Sequence, residues 1–187
     1  MIIIPEWSTP AEIERDIPVI RQLREYWESL NDGLPPERDQ IDPEVIKGLL
    51  PWMLLADFEF DPFRVRYRLT GTQVDKDTGY NLTGKYLDEY LLEPLEEGVG
   101  KLQQAYERVW RSEEPFIGTY QWSGPWPVPI KMPFGIFPLK VRGKVKQALG
   151  IEQLPRESVY DDVKTWRDYL AIQKAGGPSK RDLMDYR

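Results

Sequence analysis

The side chains that most often carry catalysis and metal binding are missing from this chain: it has 0 His and 0 Cys. That composition excludes a Ser-His-Asp triad, a cysteine nucleophile, a thiolate photoadduct, His-ligated haem and a Cys/His zinc centre. The most suggestive motif left is Gly79-Tyr80-Asn81-Leu82-Thr83-Gly84-Lys85. It satisfies the first seven positions of a phosphate-cradling loop, but the eighth, which holds magnesium through a Ser or Thr hydroxyl, is Tyr86. Such a loop also joins a parallel strand to a long helix, whereas the flanking pattern here reads antiparallel, so the glycines are read as turns around a short helix. Asp75-Lys76-Asp77-Thr78-Gly79 resembles a calcium loop with its glycine one place early and Tyr86 where a glutamate belongs. It reads as a solvated acidic turn.

Carboxylates are plentiful, but their positions have simpler explanations than catalysis. Glu93, Glu96 and Glu97 crowd the start of a helix, where acids complement the helix dipole. Glu113 and Glu114 read as a solvated helix end. Arg64, Arg66 and Arg68 form a basic row that would suit a phosphate or acidic partner, or would pair across a hairpin with Asp57 and Glu59. Trp122 and Trp126, in a proline-rich stretch, fit either a partner-binding loop or a cover for a sheet edge. No nucleophile, base and orienting group come together.

The elements that must position these residues follow from periodicity. Ile13, Ile17, Ile20, Leu23, Trp27 and Leu30 form one helical stripe. Pro18 is tolerated in a first turn, so the main helix is expected from Ile17 to Leu30 with Asp16 as cap. Asn31-Asp32-Gly33 and Pro35-Pro36 stop it, and a second short helix is expected from Asp42-Pro43 to Leu50. Trp52, Leu54, Ala56, Phe58 and Phe60 then share one face of a strand. Phe63, Val65, Tyr67 and Leu69 share one face of the next. A four-residue loop, Phe60 to Phe63, sets Glu59 opposite Arg64, Phe58 opposite Val65, Asp57 opposite Arg66 and Ala56 opposite Tyr67.

After an irregular stretch from Gly71 to Leu92, a helix is expected from about Leu95 to Arg111. Strands follow at Phe116–Trp122, Gly135–Val141 and Lys144–Gln153, the last with Val145, Leu149 and Ile151 on one face. A final helix begins near Ser158 with Val159, Val163, Trp166 and Leu170 as its stripe. Consecutive strands at each end give an α+β domain with an antiparallel sheet. The expected divisions are an N-terminal helical arm (1–51), the α+β domain (52–154) and a C-terminal helix with a flexible tail (155–187).

At 187 residues and a net charge of −6, the chain suits one domain with extensions and argues against nucleic acid as the main partner. Its first residues show no basic or extended apolar export signal, and no run approaches a membrane span, so a cytoplasmic location without membrane association is expected. The apolar face of the hairpin, approached by Tyr120 and Leu149 and capped by Tyr80, Tyr86 and Tyr90, would enclose an apolar pocket with hydroxyl handles. A filled core is the other outcome. The candidate ligand-binding residues are Leu54, Phe58, Tyr67, Leu69, Tyr86, Tyr90, Tyr120 and Leu149, with no catalytic and no metal-binding residue assigned.

A series of motifs occurs in order: Tyr26-Trp27, Arg38, Ile41-Asp42-Pro43, Leu50-Pro51, Tyr67-Arg68-Leu69-x-Gly71-Thr72, Leu82-Thr83-Gly84-Lys85-Tyr86-Leu87, and Phe137-Pro138-Leu139. This resembles a bacterial, mainly alphaproteobacterial, PAS-like family often found as stand-alone domains, over about residues 20 to 152. Ser123–Pro133 is longer than the family's usual link, and the C-terminal helix lies outside the likeness. The resemblance implies a PAS-like five-stranded antiparallel sheet with small helices on one face. It also implies sensing or protein association in signal transduction rather than catalysis. The class binds haem, flavin, small acids or nothing. Without His and Cys, a noncovalent small organic ligand or an empty core remains.

The first expectation is therefore a non-catalytic sensory or regulatory module whose output passes through a separate signalling protein. A ligand-free interaction adaptor is the alternative. A small carboxylate-based enzyme is a third, and its mark would be a buried acid of raised pKa in the pocket. A homodimer through the N-terminal helix is expected if its stripe is exposed.

Overall fold

The computed structural model describes residues 7–91, 96–122 and 130–154. The expected C-terminal helix, residues 123–129 of the proline-rich link and the expected helix start at Leu95 lie outside them.

Five strands form one antiparallel sheet: β1 (Met53–Glu59), β2 (Arg64–Thr70), β3 (Phe116–Trp122), β4 (Ile130–Val141) and β5 (Lys144–Glu152), in the order β2-β1-β5-β4-β3. Among the described residues four α-helices accompany it: α1 (Pro10–Asp16), α2 (Pro18–Leu30), α3 (Thr72–Thr78) and α4 (Glu96–Ser112). The α+β architecture and its antiparallel sheet are those expected.

The hairpin register matches expectation at Glu59↔Arg64, Phe58↔Val65, Asp57↔Arg66 and Ala56↔Tyr67. The ion pairs do not follow it. Arg68 reaches diagonally to Asp57 (3.0 Å), Arg64 pairs with Asp88 (2.6 Å), and Glu59 accepts from the Tyr86 hydroxyl (2.9 Å). A guanidinium is long enough to prefer a diagonal or inter-element acid over the residue directly opposite.

A bulge changes what lies beyond Ala56. Leu55 pairs with Leu69, so Arg68 is the extra residue on β2. One additional residue reverses the facing of everything after it. Leu69 therefore leaves the face of Tyr67 and stands 58% exposed. A second irregularity, between Leu139 and Lys140, separates Val145 from Leu149 and Ile151, which were expected together.

Each face of the sheet is covered. The inner face carries Leu54, Phe58, Val65, Tyr67, Tyr120 and Phe134, against Val99, Leu102, Tyr106 and Val109 of α4. The outer face carries Met53, Leu55, Phe137, Leu139, Leu149 and Ile151, against Ile13, Ile17, Ile20, Leu23 and Trp27. The N-terminal stripe is thus buried within the chain, and its exposure, the premise for dimerisation, is not met. The basic row Arg64, Arg66 and Arg68 lies on β2, at the edge of the sheet.

The main helix expected from Ile17 to Leu30 is α2, and a further short helix, α1, precedes it. Thr9 and Glu12 form a capping box that starts α1, and Ile17 joins it to α2, whose first residue is Pro18. Asp16 does not cap α2. Its carboxylate accepts from the Trp7 indole (3.0 Å) and from Arg15. The expected helix after Pro43 is a run of turns. Asp42 accepts from the Glu44 N–H (2.9 Å), an Asx turn that competes with helix, and a single 3-10 turn, Leu50–Trp52, leads into β1.

Trp27 pins the arm to the sheet. Its indole N–H donates to the Pro138 carbonyl at 2.8 Å, with the ring 1% exposed. Trp27→Phe removes that bond and part of the ring volume. Urea unfolding of the variant is expected to show a loss of about 2 kcal/mol with an unchanged slope. A loss below about 0.5 kcal/mol would mean the arm is not held there.

Candidate functional site

Among the described residues, cavities lie on both sides of the sheet: one in the inner layer, one on the outer side, and an open groove of about 300 Å³ between α4 and Phe116, Thr119 and Phe134. The inner one is lined by Leu54, Tyr67, Leu82, Tyr90, Leu102 and Tyr120, together with Thr78, Leu87, Trp122 and Glu152. Its volume is about 10 Å³, room for a single water. Aromatic rings account for the small size. Tyr80 and Tyr90 pack edge to face (centroids 5.5 Å), Trp122 meets Tyr80 at 5.8 Å, and Tyr120 meets Phe134 at 5.4 Å. The Trp122 indole donates to the Thr78 carbonyl (3.0 Å), tying β3 to the end of α3.

Glu152, the last residue of β5, projects into this inner layer and is 5% exposed. Its Oε2 accepts from the Tyr120 hydroxyl (2.8 Å), and its Oε1 has no hydrogen-bond partner among the described residues. Burial pushes the carboxyl up to about 7, the Tyr120 bond opposes the rise, and the Asp77 charge adds to it. Burial also holds the hydroxyls of Tyr67, Tyr106 and Tyr120 above their ordinary range, so they stay neutral donors. This is the buried acid named above as the mark of an enzyme. Sequence reading missed it because β5 is buried on both faces, and alternation says nothing about a carboxylate at the end of such a strand.

The outer cavity measures about 350 Å³. It is lined by Ile41, Pro43, Ile46 and Leu50 of the arm, Met53, Leu54 and Leu55 of β1, Leu69 and Thr70 of β2, Gly71, Leu149 of β5, and Arg38. Its shape depends on a close approach. A Cβ on Gly71 would lie 2.3 Å from the Leu50 and Pro51 carbonyl oxygens, so a side chain there would push the arm off the end of β2. The Tyr26 hydroxyl accepts from the Asp42 N–H (2.8 Å), fixing the arm segment that carries Ile41 and Pro43.

The eight sequence-derived candidates are divided between the two sides. Tyr67, Tyr90 and Tyr120 line the inner cavity, Leu69 and Leu149 the outer one, and Leu54 both. Phe58 packs in the inner core between Phe63 and Tyr106 and lines neither. Tyr86 also lines neither. It lies on the β2 edge, with the Arg64 guanidinium 3.8 Å over its ring. The phosphate-loop look-alike follows α3 rather than a strand, and Asp75 of the calcium-loop look-alike accepts from the Thr70 hydroxyl (2.7 Å). Ile46 and Met53 went unrecognised as wall residues, since the turns that bring Ile46 to β1 have no periodic signature.

A family model described as a PAS domain matches residues 15–152. No curated protein matches the chain. Among solved structures, a light-oxygen-voltage domain studied with a flavin analogue aligns at 14% identity over 71% of this chain and 93% of that one, with a TM-score of 0.45. An RNA-binding light-oxygen-voltage receptor aligns at 14% identity over 77% of this chain, with a TM-score of 0.46. This chain spans 41% of that receptor. A fungal light-oxygen-voltage photoreceptor aligns at 15% identity over 55% of this chain and 71% of that one, with a TM-score of 0.42. These likenesses concern the fold alone.

Proposed function

The chain belongs to the PAS domain family, and from that membership we propose that it is a non-catalytic sensory or regulatory module, binding a small organic ligand noncovalently and passing its state to a separate signalling protein. The observation that carries this reading is the outer cavity. At about 350 Å³ it falls at the small end of ligand pockets, roughly 300–1,000 Å³, and its wall is mostly aliphatic. It touches the arm, β1, β2 and β5 together, so occupancy would bear on how the arm seats against the sheet.

The inner compartment supports this division of labour. It has room for about one water, and a flavin does not fit it as it stands. With 0 Cys in the chain, no cysteinyl-flavin adduct forms. Glu152 is enclosed among neutral tyrosines, and among the described residues no second carboxylate lines that cavity. An acid without room for a substrate and without a partnering base is better read as a buried structural group than as a catalyst.

The ligand-free adaptor is the second reading, and the packed inner compartment is what favours it. Native mass spectrometry of the freshly purified full chain separates the two. The sensory reading predicts an added small-molecule mass that is released on denaturation. Bare protein, before and after incubation with a cell extract's small-molecule fraction, would favour the adaptor.

A further inference from the structure

The outer cavity is chemically lopsided. Among the described residues that line it, Arg38 alone carries a charge, and the others are Ile, Leu, Met and Pro apart from Thr70 and Gly71. Arg38 is half-buried and, among the described residues, forms no ion pair, whereas Arg24, Arg64 and Arg68 each hold a carboxylate. The acids flanking it in sequence do not pair with it. Glu37 accepts from the Gly143 N–H (2.8 Å), Asp39 is exposed, and Asp42 is engaged with the Glu44 N–H. Thr70, the polar neighbour, uses its hydroxyl on Asp75 and Thr83. Two further lining residues, Leu50 and Leu69, remain 42% and 58% exposed, an apolar rim that continues the wall outward.

Resting on the reading of this cavity as the ligand seat, we propose that its ligand is a small amphipathic carboxylate, such as a medium-chain fatty acid. The tail lies among Ile41, Ile46, Met53 and Leu55, and the carboxylate pairs with Arg38. Two complementarities favour this class. An aliphatic wall rewards an aliphatic tail in proportion to the area it buries. A half-buried guanidinium without an internal acid offers a planar fork suited to a carboxylate, and the pair is stronger there than in open water. A neutral ligand of equal length would forgo that contact, and a cationic one would meet like charge.

Isothermal titration of the full chain with octanoate, octanol and octylamine at pH 7.5 tests this. Octanoate is expected to bind about tenfold tighter than octanol, the factor of one charge-assisted hydrogen bond, and octylamine weakest of the three. In Arg38→Met the preference for octanoate over octanol is expected to vanish while octanol affinity holds. Arg38→Lys should recover part of it. Equal binding of octanoate and octanol, unaltered in Arg38→Met, would overturn the carboxylate assignment and leave the ligand seat standing. No binding of any of the three at millimolar concentration would remove the seat and the assignment together.

Discussion

Gly98→Ala is expected to destabilise the chain by about 3 kcal/mol or more, lowering its thermal midpoint by roughly 10 °C. The first turns of α4 run so close to β3 that a Cβ on Gly98 would lie 1.6 Å from the Gln121 carbonyl oxygen. That neighbour is backbone in the sheet and cannot rotate away. Either the strand or the helix must move, and both carry the inner core, because Val99 and Leu102 follow on α4 while Tyr120 and Trp122 flank Gln121. Gly100 provides the control. It lies in the same helix with nothing among the described residues within 4 Å of its would-be Cβ. Gly100→Ala is expected to stabilise by up to about 1 kcal/mol through helix propensity alone. Opposite signs at two glycines two residues apart would confirm that α4 closes directly onto β3. A mild effect at Gly98 would mean that contact is looser than the structure shows.

Glu152 makes stability fall as pH rises. Its folded pKa of about 7 lies above the ordinary glutamate value of 4.5, so the folded state binds more protons than the unfolded state between those two values. The stabilisation is complete below about pH 4.5 and is lost as pH rises through 7. The shift corresponds to about 3 kcal/mol. Denaturation midpoints measured from pH 5 to 8 are expected to decline for the native chain and to stay nearly flat for Glu152→Gln, which keeps the Tyr120 hydrogen bond without a charge. Above pH 7.5 the variant is expected to be the more stable of the two. The acids nearer the surface work in a separate window. Asp16, Asp88 and Glu12 are held below their ordinary values by Arg15, by Arg64 and by the Ser8 and Thr9 N–H groups respectively, so their contribution is lost only as pH falls below about 4. A native profile flat from pH 5 to 8 would show that Glu152 is solvated.

Periodicity reached the sheet because strands with one clear apolar face advertise it. The hairpin register was legible as far as Ala56, since charge and apolar positions alternated in step on β1 and β2. It became illegible at the bulge, where Arg68 is inserted and no residue type marks the insertion. That one residue decides that Leu69 belongs to the outer cavity rather than the inner one. The arm was legible as a stripe but not as a cover, since a helical stripe shows that something is buried and not against what. The segment from Pro43 to Leu49, which brings Pro43 and Ile46 to the outer wall, folds as turns with no repeat to read. Glu152 was hidden for a different reason. In a strand buried on both sides, its neighbours Ile151 and Gln153 are also buried, so polarity alone did not identify the acid that faces Tyr120.

A ligand seated between the arm and the outer face of the sheet, as proposed, would leave the inner PAS compartment closed. Methyl-resolved NMR of the full chain, titrated with octanoate and separately with octanol, distinguishes the two sides. Shifts centred on Ile41, Ile46, Met53, Leu69 and Leu149, with Leu82, Leu87 and Leu102 unmoved, are the predicted result. Shifts centred on Leu82, Leu87 and Leu102 instead would place the ligand on the other side of the sheet and overturn the proposed seat.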